Sequence, residues 1–349
     1  MLTKWLESSG PESDIVVSNR IRFARNIKGI PFEIKATETD QEKILGMVSY
    51  ALEELNVLKN SKLLGSQELT PLIIQSLLER HLISPDFAAS KQKHAVFINN
   101  DETLSLMINE EDHIRYQVLS SGLDFELSLF QINDFDEQLE RELEFAYSTE
   151  LGFLTACPSN VGTGMRASVL IHLPGLVLTK EIEKVLRGIL QIGLAVRGLY
   201  GEGTETKGNF FQISNQQSLG RSENEIIEII EKAVRQVIGY EKKAREYLTQ
   251  NAKIEVEDKV FRAQSILRNA RIVTSEEAIN LLAVLRLGVT IGIINDVSLK
   301  TINELLILTK PANLRIYYNK EMEADERDEK RATLLRNRLR GEAKKNGQN

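Results

Sequence analysis

The sequence predicts an α+β domain built around an antiparallel meander, followed by an all-helical domain. Three observations predict it. The stretch "KHAVFINNDETLSLMINEEDHIRYQVLSSG" (93–122) gives three apolar, β-prone runs joined by a turn and a polar corner. Helical periodicity behind a capping signal precedes it. After Ser222 the strand patterning stops and only helical periodicity continues.

In chain order, "DIVVSNRIRFARNI" (14–27) reads as a strand running into an arginine-bearing loop. "ATETDQEKILGMVSYALEELNVL" (36–58) reads as a helix, with Thr39 and Glu42 as a capping box and Ile44, Val48, Leu52 and Leu55 on one face. The meander follows, then a helix over "DFDEQLERELEFAY" (134–147). "LGFLTACPSNVGTGMRASVLIHLP" (151–174) reads as two strands joined by a glycine-containing loop. A helix near 179–195 leads into "RGLYGEGTETKGNFFQISN" (197–215). Capping boxes at Ser222–Glu225 and Thr274–Glu277 open helices of the second part, with loops around Asn295 and Pro311. The division falls at 1–222 and 223–349.

At 349 residues the chain can bury a large core, and a net charge of −6 gives no general case for nucleic acid or an anionic membrane. No apolar run approaches a membrane span and the N-terminus lacks a signal-peptide core. A single cysteine, Cys157, excludes an internal disulfide and fits a reducing cytoplasm. There is no GxxxxGK[ST] loop, no HRD/DFG pair and no HExxH, and four histidines with one cysteine make no zinc site of usual spacing.

What remains is a set of arginines at strand ends: Arg20 and Arg22, which share a strand face, Arg115 after the acidic corner "NEEDHIR", Arg166 after the glycine loop, and Arg197. Each alone reads as a surface charge. If the ends converge, the cluster repels itself unless an anion is present, and planar guanidinium forks suit phosphate oxygens. Such a cradle would hold ATP and its Mg²⁺ without a phosphate loop.

"CPSNVGTGMRASV" resembles the signature of the phosphagen (guanidino) kinases, and "VVSNRIRFARNIKGIPF", "NEEDHIR" and "RGLYGEGTETKGNFFQISN" match other segments of that family in the same order. The resemblance covers residues 14–222. It implies a phosphagen-kinase-like catalytic domain with an antiparallel sheet flanked by helices. It also implies that Arg20, Arg22, Arg115, Arg166 and Arg197 hold ATP phosphates, with Ser18 beside the first pair and His81 near the adenine. Glu111 and Glu202 would grip the guanidinium that receives the phosphoryl group, with Cys157 against it.

Two departures refine the expectation. Conventional members carry a helical domain before the "SNRIR" segment that closes over a small substrate; here 17 residues precede Ser18. Tyr200 and Gly203 stand where the metabolite kinases usually have arginine and histidine. An open acceptor site could admit an arginine within a polypeptide. Both departures, and the helical extension, resemble the bacterial protein arginine kinases of the McsB type. That subfamily implies protein substrates with exposed arginines, a stress-response role with the Clp protease system, a small zinc-finger activator protein and a homodimer through the helical domain. "RDEKRA" (327–332) resembles its phosphoarginine-recognition motif, implying an allosteric site at Arg327, Asp328 and Arg331; without the family it reads as a solvated helix face, where Glu323 pairs with Arg327. The alternatives are a phosphagen kinase acting on free arginine or another guanidino metabolite, and a catalytically inactive phosphoarginine-binding adaptor.

Overall fold

The computed structural model describes residues 3–198 and 206–346. Its strands are β1 (Val16–Arg25), β2 (Ser61–Gly65), β3 (Ala95–Asn99), β4 (Leu104–Ile108), β5 (Ile114–Ser121), β6 (Tyr147–Ser148), β7 (Gly152–Phe153), β8 (Met165–His172), β9 (Leu194–Gly198) and β10 (Phe210–Asn215). Its helices are α1 (Glu38–Glu54), α2 (Pro71–Glu79), α3 (Pro85–Ala89), α4 (Phe125–Glu142), α5 (Pro174–Leu178), α6 (Ile182–Gln191), α7 (Glu223–Asn251), α8 (Lys253–Asn269), α9 (Ser275–Thr290), α10 (Leu299–Leu308), α11 (Pro311–Tyr318) and α12 (Ala324–Asn346). The larger strands form one sheet in the order β2-β3-β4-β5-β1-β8-β10-β9, and β6 and β7 form a separate hairpin. The expected meander is β3, β4 and β5, antiparallel in the register Phe97↔Leu106 and Met107↔Arg115. Beyond β10 the described chain is helical, and among the described residues no helix is long and apolar enough to cross a membrane.

The chain folds into two compact units, each assembled from three segments. The first comprises Met1–Trp5, Asn19–Ser168 and Ser214–Glu231. Its core lies where α4 and α1 cover the meander. Ile44, Val48 and Leu52 of α1, Ile132, Phe135 and Leu139 of α4, and Leu106, Ile114 and Tyr116 of the strands are all buried. Burying each such side chain contributes roughly 1.5–3 kcal/mol. The rings of Tyr116 and Phe135 meet edge to face at 5.5 Å.

Helix starts differ from the sequence reading in a consistent way. The capping box of α1 is Thr37–Asp40, not Thr39–Glu42: Thr37 Oγ1 accepts from Asp40 N at 3.2 Å and Asp40 Oδ2 accepts from Thr37 N at 2.9 Å. The shorter aspartate does the work usually assigned to glutamate at that position. Helix α4 begins at Phe125, well before 134, because Asp124 caps it by accepting from Leu127 N at 3.2 Å. Pro311 opens α11 at its first position rather than sitting in a loop. The Ser222–Glu225 box is present in both directions, and Thr274 caps α9.

The second unit comprises Leu6–Ser18, Val169–Ile213 and Lys232–Asn349. Its helices pack through Val260, Leu267, Leu282, Leu305 and Leu335. A buried polar network threads it. Glu241 accepts the otherwise orphaned amides of Gly175 and Leu176, each at 2.9 Å, and pairs with Arg245 at 2.7 Å. Arg286, fully buried, donates to the carbonyls of Ser13 at 2.7 Å and Asp14 at 2.8 Å. Its Nη1 lies 3.1 Å from Nδ1 of His172, which must accept because arginine cannot. Burial, with Arg286 and Arg245 adding to it, holds the His172 pKa well below the usual imidazole range.

Candidate active site

Strand alternation sets the first part of the site. Ser18, Arg20 and Arg22 share one face of β1, while Arg25, at the other parity, lies on the opposite face. In the sheet β1 runs between β5, which carries Arg115, and β8, which carries Arg166. Four guanidinium groups of the first unit are thus brought together on three adjacent strands. Arg20 and Arg22 are half-buried, and among the described residues neither guanidinium makes a hydrogen bond or ion pair. Burial, then Arg115 and Arg166, push the Arg20 pKa down to about 10. Arg22 is driven well below its usual range by burial and by Arg20, Arg115 and Arg166, against a weaker opposite pull from Glu110. With Arg20 and Arg22 held this close to Arg115 and Arg166 and making no ion pair of their own, the cluster forms a site for a polyanion.

The corner "NEEDHIR" divides its labour. Asn109 adopts a left-handed conformation (φ 57°), and its side-chain amide donates to the carbonyls of Gln41 at 3.0 Å and Lys93 at 2.7 Å. Asp112, fully buried, accepts from Asn26 Nδ2 and from Ala156 N, both at 2.7 Å. His113 accepts from Ile27 N at Nδ1 and faces the Pro31 carbonyl with Nε2, each at 2.9 Å, which fixes a neutral tautomer with the proton on Nε2. Glu110 is buried against Arg115 and accepts from Ser84 Oγ at 2.5 Å. Glu111, the most exposed of the group, reaches Arg115 at 3.3 Å and faces open space. Asparagine, histidine and two acids are scaffold; Glu111 and one edge of Arg115 are left for chemistry.

The glycine loop is held from below. Arg25 forks onto Asp136 through Nε at 3.2 Å and Nη2 at 2.7 Å, and its Nη1 donates to the Ala24 and Thr163 carbonyls at 3.0 and 2.9 Å. Gly164, at φ +67°, passes so near that a Cβ there would lie 2.6 Å from the Ala24 carbonyl oxygen. That closeness requires glycine and delivers Arg166 into the cluster, where it donates to Ser214 Oγ at 3.3 Å. Cys157 caps the short 3-10 turn Pro158–Asn160 as a free thiol, its Sγ 3.1 Å from Ser159 Oγ. The Asp112–Ala156 bond therefore ties the acidic corner to the residue preceding the thiol.

Two cavities open at Glu111. One of about 230 Å³ is lined by Glu33, Ile34, Gln92, Glu110, Glu111 and Ala156. A wider cleft of about 550 Å³ continues past Gln92 to Asp86 and Lys91. Sequence reasoning missed Glu33, whose only signal is a charged residue placed directly after the apolar "IPF". His81 occupies a left-handed turn after α2, its carbonyl accepting from Gln117 Nε2 at 2.6 Å. Arg197 is exposed on β9, and Ser18 is buried; both belong to the second unit. Glu202, Tyr200 and Gly203 lie outside the described residues.

In α12, Arg331 is buried rather than solvated. It donates to the carbonyls of Thr309 at 2.7 Å and Val273 at 2.8 Å and pairs with Asp328. Arg327 is half-exposed and donates to the Met322 carbonyl at 3.3 Å, while no Glu323–Arg327 pair forms among the described residues. Among the described residues no group of three or more His, Cys, Asp or Glu is placed to hold a metal ion.

Comparison with known proteins agrees with this geometry. Residues 43–244 match the family model of the ATP:guanido phosphotransferase C-terminal catalytic domain, and residues 253–349 match that of the protein-arginine kinase McsB C-terminal domain. Protein-arginine kinases of Bacillus cereus and Bacillus anthracis are 46% identical over 341 residues, covering 97% of this chain and 96% of theirs. Among solved structures, lombricine kinase is similar with a TM-score of 0.58 and 26% identity, over 69% of this chain and 71% of that one. The duplicated taurocyamine kinase of Schistosoma mansoni, solved with transition-state analogue components, gives a TM-score of 0.59 and 27% identity over 67% of this chain. The match spans about a third (34%) of that duplicated protein. With the arginine cluster, the acidic corner and both family models in register, the chain belongs to the ATP:guanido phosphotransferase family, in its protein-arginine kinase branch.

Proposed function

We propose that this chain transfers the γ-phosphoryl group of ATP to arginine side chains of proteins. The observation that carries the reading is the convergence of Arg20, Arg22, Arg115 and Arg166 beside the Glu111 pocket, a polyanion site next to a cation site. The acceptor guanidinium has a pKa above ~12 and is a weak nucleophile until a carboxylate orients it and takes a proton. Glu111 serves that role, with Glu202 as its second carboxylate and Cys157 against the guanidinium. A P–N bond forms as the β–γ bridging P–O bond breaks; ADP leaves and the proton passes to the carboxylate. The arginines stabilise charge on the transferring phosphoryl, Arg197 and Ser18 are assigned to the nucleotide phosphates as well, and His81 to the adenine. Mg²⁺, carried on the nucleotide phosphates, would supply charge neutralisation there.

The same reading carries further roles: a cytoplasmic stress-response enzyme that marks proteins for a Clp protease, a zinc-finger activator, and a homodimer built through residues 223–349. It also carries an allosteric phosphoarginine site in which Arg327 and Asp328 meet the ligand and buried Arg331 supports them from beneath. A second reading, transfer to a free guanidino metabolite, is favoured by the likeness to lombricine and taurocyamine kinases. Labelled ATP offered with an unfolded arginine-rich protein beside free arginine separates them. Acid-labile label on the protein, at higher kcat/KM than on free arginine, is expected; preferential labelling of free arginine would install the second reading, and no transfer to either would remove both.

A further inference from the structure

We propose that Glu33 is a third acceptor-contacting carboxylate, meeting the side chain of the target arginine in the pocket it shares with Glu111. This rests on the kinase reading above. Glu33 is only 6% exposed, yet apart from the neighbouring Gln92 amide its carboxylate oxygens meet no donor. A carboxylate desolvated in this way is unfavourable unless something arrives to pair with it. What it borders is the cavity of about 230 Å³ whose wall also includes Glu110, Glu111 and Ala156, the residue before Cys157. That space is smaller than an ordinary small-molecule pocket and suits one side chain. Glu110 is already engaged by Arg115 and Ser84, and Glu111 gives only one oxygen to Arg115 at 3.3 Å, so Glu33 and the other Glu111 oxygen are left to an incoming group.

The chemistry of the occupant follows. An acid-walled pocket beside the arginine cluster takes a cation, and a guanidinium offers five N–H donors in one plane, enough for carboxylates on different sides. Burial above all, with Asp112 adding to it and the nearby Gln92 amide partly offsetting it, pushes the Glu33 pKa up to about 7. The empty pocket thus keeps Glu33 about half protonated near pH 7, and a bound guanidinium draws out the carboxylate. The charged groups facing Glu33 are Glu110, Glu111 and Asp112, all acidic, with Arg115 held by Glu110 and Glu111.

The test compares wild type, Glu33→Gln and Glu33→Asp, using a peptide whose only basic residue is one arginine and, separately, ethylguanidinium binding by calorimetry. Glu33→Gln should raise KM for the peptide about tenfold, the scale of one charge-assisted hydrogen bond, with kcat within about threefold. Ethylguanidinium affinity should fall by the same factor, ADP affinity should stay unchanged, and Glu33→Asp should recover part of the loss. Unchanged KM and unchanged ethylguanidinium binding in Glu33→Gln would overturn the proposal. So would a loss seen only for peptides bearing a second basic residue, which would place Glu33 against a neighbour of the target. If wild type transfers no phosphoryl group, the kinase reading falls, while ethylguanidinium binding still decides the role of Glu33. If circular dichroism shows Glu33→Gln unfolded, the same two measurements on Glu33→Asp decide: a partial loss in both supports the proposal, and no change in either overturns it.

Discussion

Replacing Arg20 with methionine should make the protein without nucleotide more stable while removing its response to nucleotide. Arg20 is ionised at neutral pH in the folded and unfolded chain alike, but the fold holds that proton less tightly, its pKa pushed down to about 10. At 1.36 kcal/mol per unit, keeping the charge in place costs roughly 3 kcal/mol, first from burial and then from Arg115 and Arg166. The cost is present in full below about pH 10 and eases only as pH climbs from there toward the ordinary guanidinium range. Methionine keeps much of the length without the charge, so about 1–2 kcal/mol should return after repacking losses, raising Tm by ~1–3 °C for a chain of this size. Thermal unfolding followed by circular dichroism, with and without ADP, reads both effects. Wild type should gain stability with ADP by the binding linkage, and the variant should gain little. The reasoning is refuted if Arg20→Met lowers Tm without nucleotide, or if ADP stabilises the variant as strongly as wild type.

Glu111→Gln should lower turnover by ~10²-fold or more while ADP affinity, measured by calorimetry, stays near wild type. Arg166→Ala should lower kcat by ~10²–10³-fold with a smaller loss in ADP binding, because part of its interaction develops only on the transferring phosphoryl; full activity would remove the glycine loop from the phosphate site. Gly164→Ala forces a Cβ against the Ala24 carbonyl at a positive φ and should cost several kcal/mol in urea unfolding. The KM for an arginine peptide should fall as pH rises from 6 to 8 in wild type, as Glu33 ionises near 7, and be flat in Glu33→Gln. In unfolding, the neutral Glu33 favours the fold fully below pH 4.5, and that contribution is lost as pH climbs to about 7.

The parts of the site written in the sequence are those set by strand periodicity. Arg20 and Arg22 share a face because every second side chain does, and the same rule sends Arg25 to the opposite face to anchor the glycine loop. The meander was equally legible, since its apolar runs sit between short polar breaks. Glu110 and Asp112 were not, because an acid committed to a scaffold and one facing substrate look alike in a run of acids. Only the buried partners Ser84, Asn26 and Ala156 separate them. Glu33 was invisible for a related reason: its neighbours in the pocket, Gln92, Glu110 and Ala156, come from distant segments. The buried state of Arg331 also depends on distant groups, the carbonyls of Val273 and Thr309. The family resemblance pointed to the right reaction class; which residues are scaffold came only from three-dimensional neighbours.

The second unit is stitched from both ends of the chain, and this has a consequence for synthesis. Arg286 in α9 grips the carbonyls of Ser13 and Asp14, and Asn303 in α10 donates to Ser8 Oγ at 2.8 Å. Residues that leave the ribosome first therefore find their partners nearly three hundred positions later. Until α9 and α10 have emerged, the segment Leu6–Ser18 lacks its bonds to Arg286 and Asn303, and the β1 strand that continues from it carries Arg20 and Arg22 on an unfinished support. Such long-range closure slows folding and prolongs exposure of the nascent strand. A ribosome stalled between α7 and α9 would hold a chain with its guanidinium-bearing strand made but this half of its anchorage missing, a state suited to chaperone capture rather than to nucleotide.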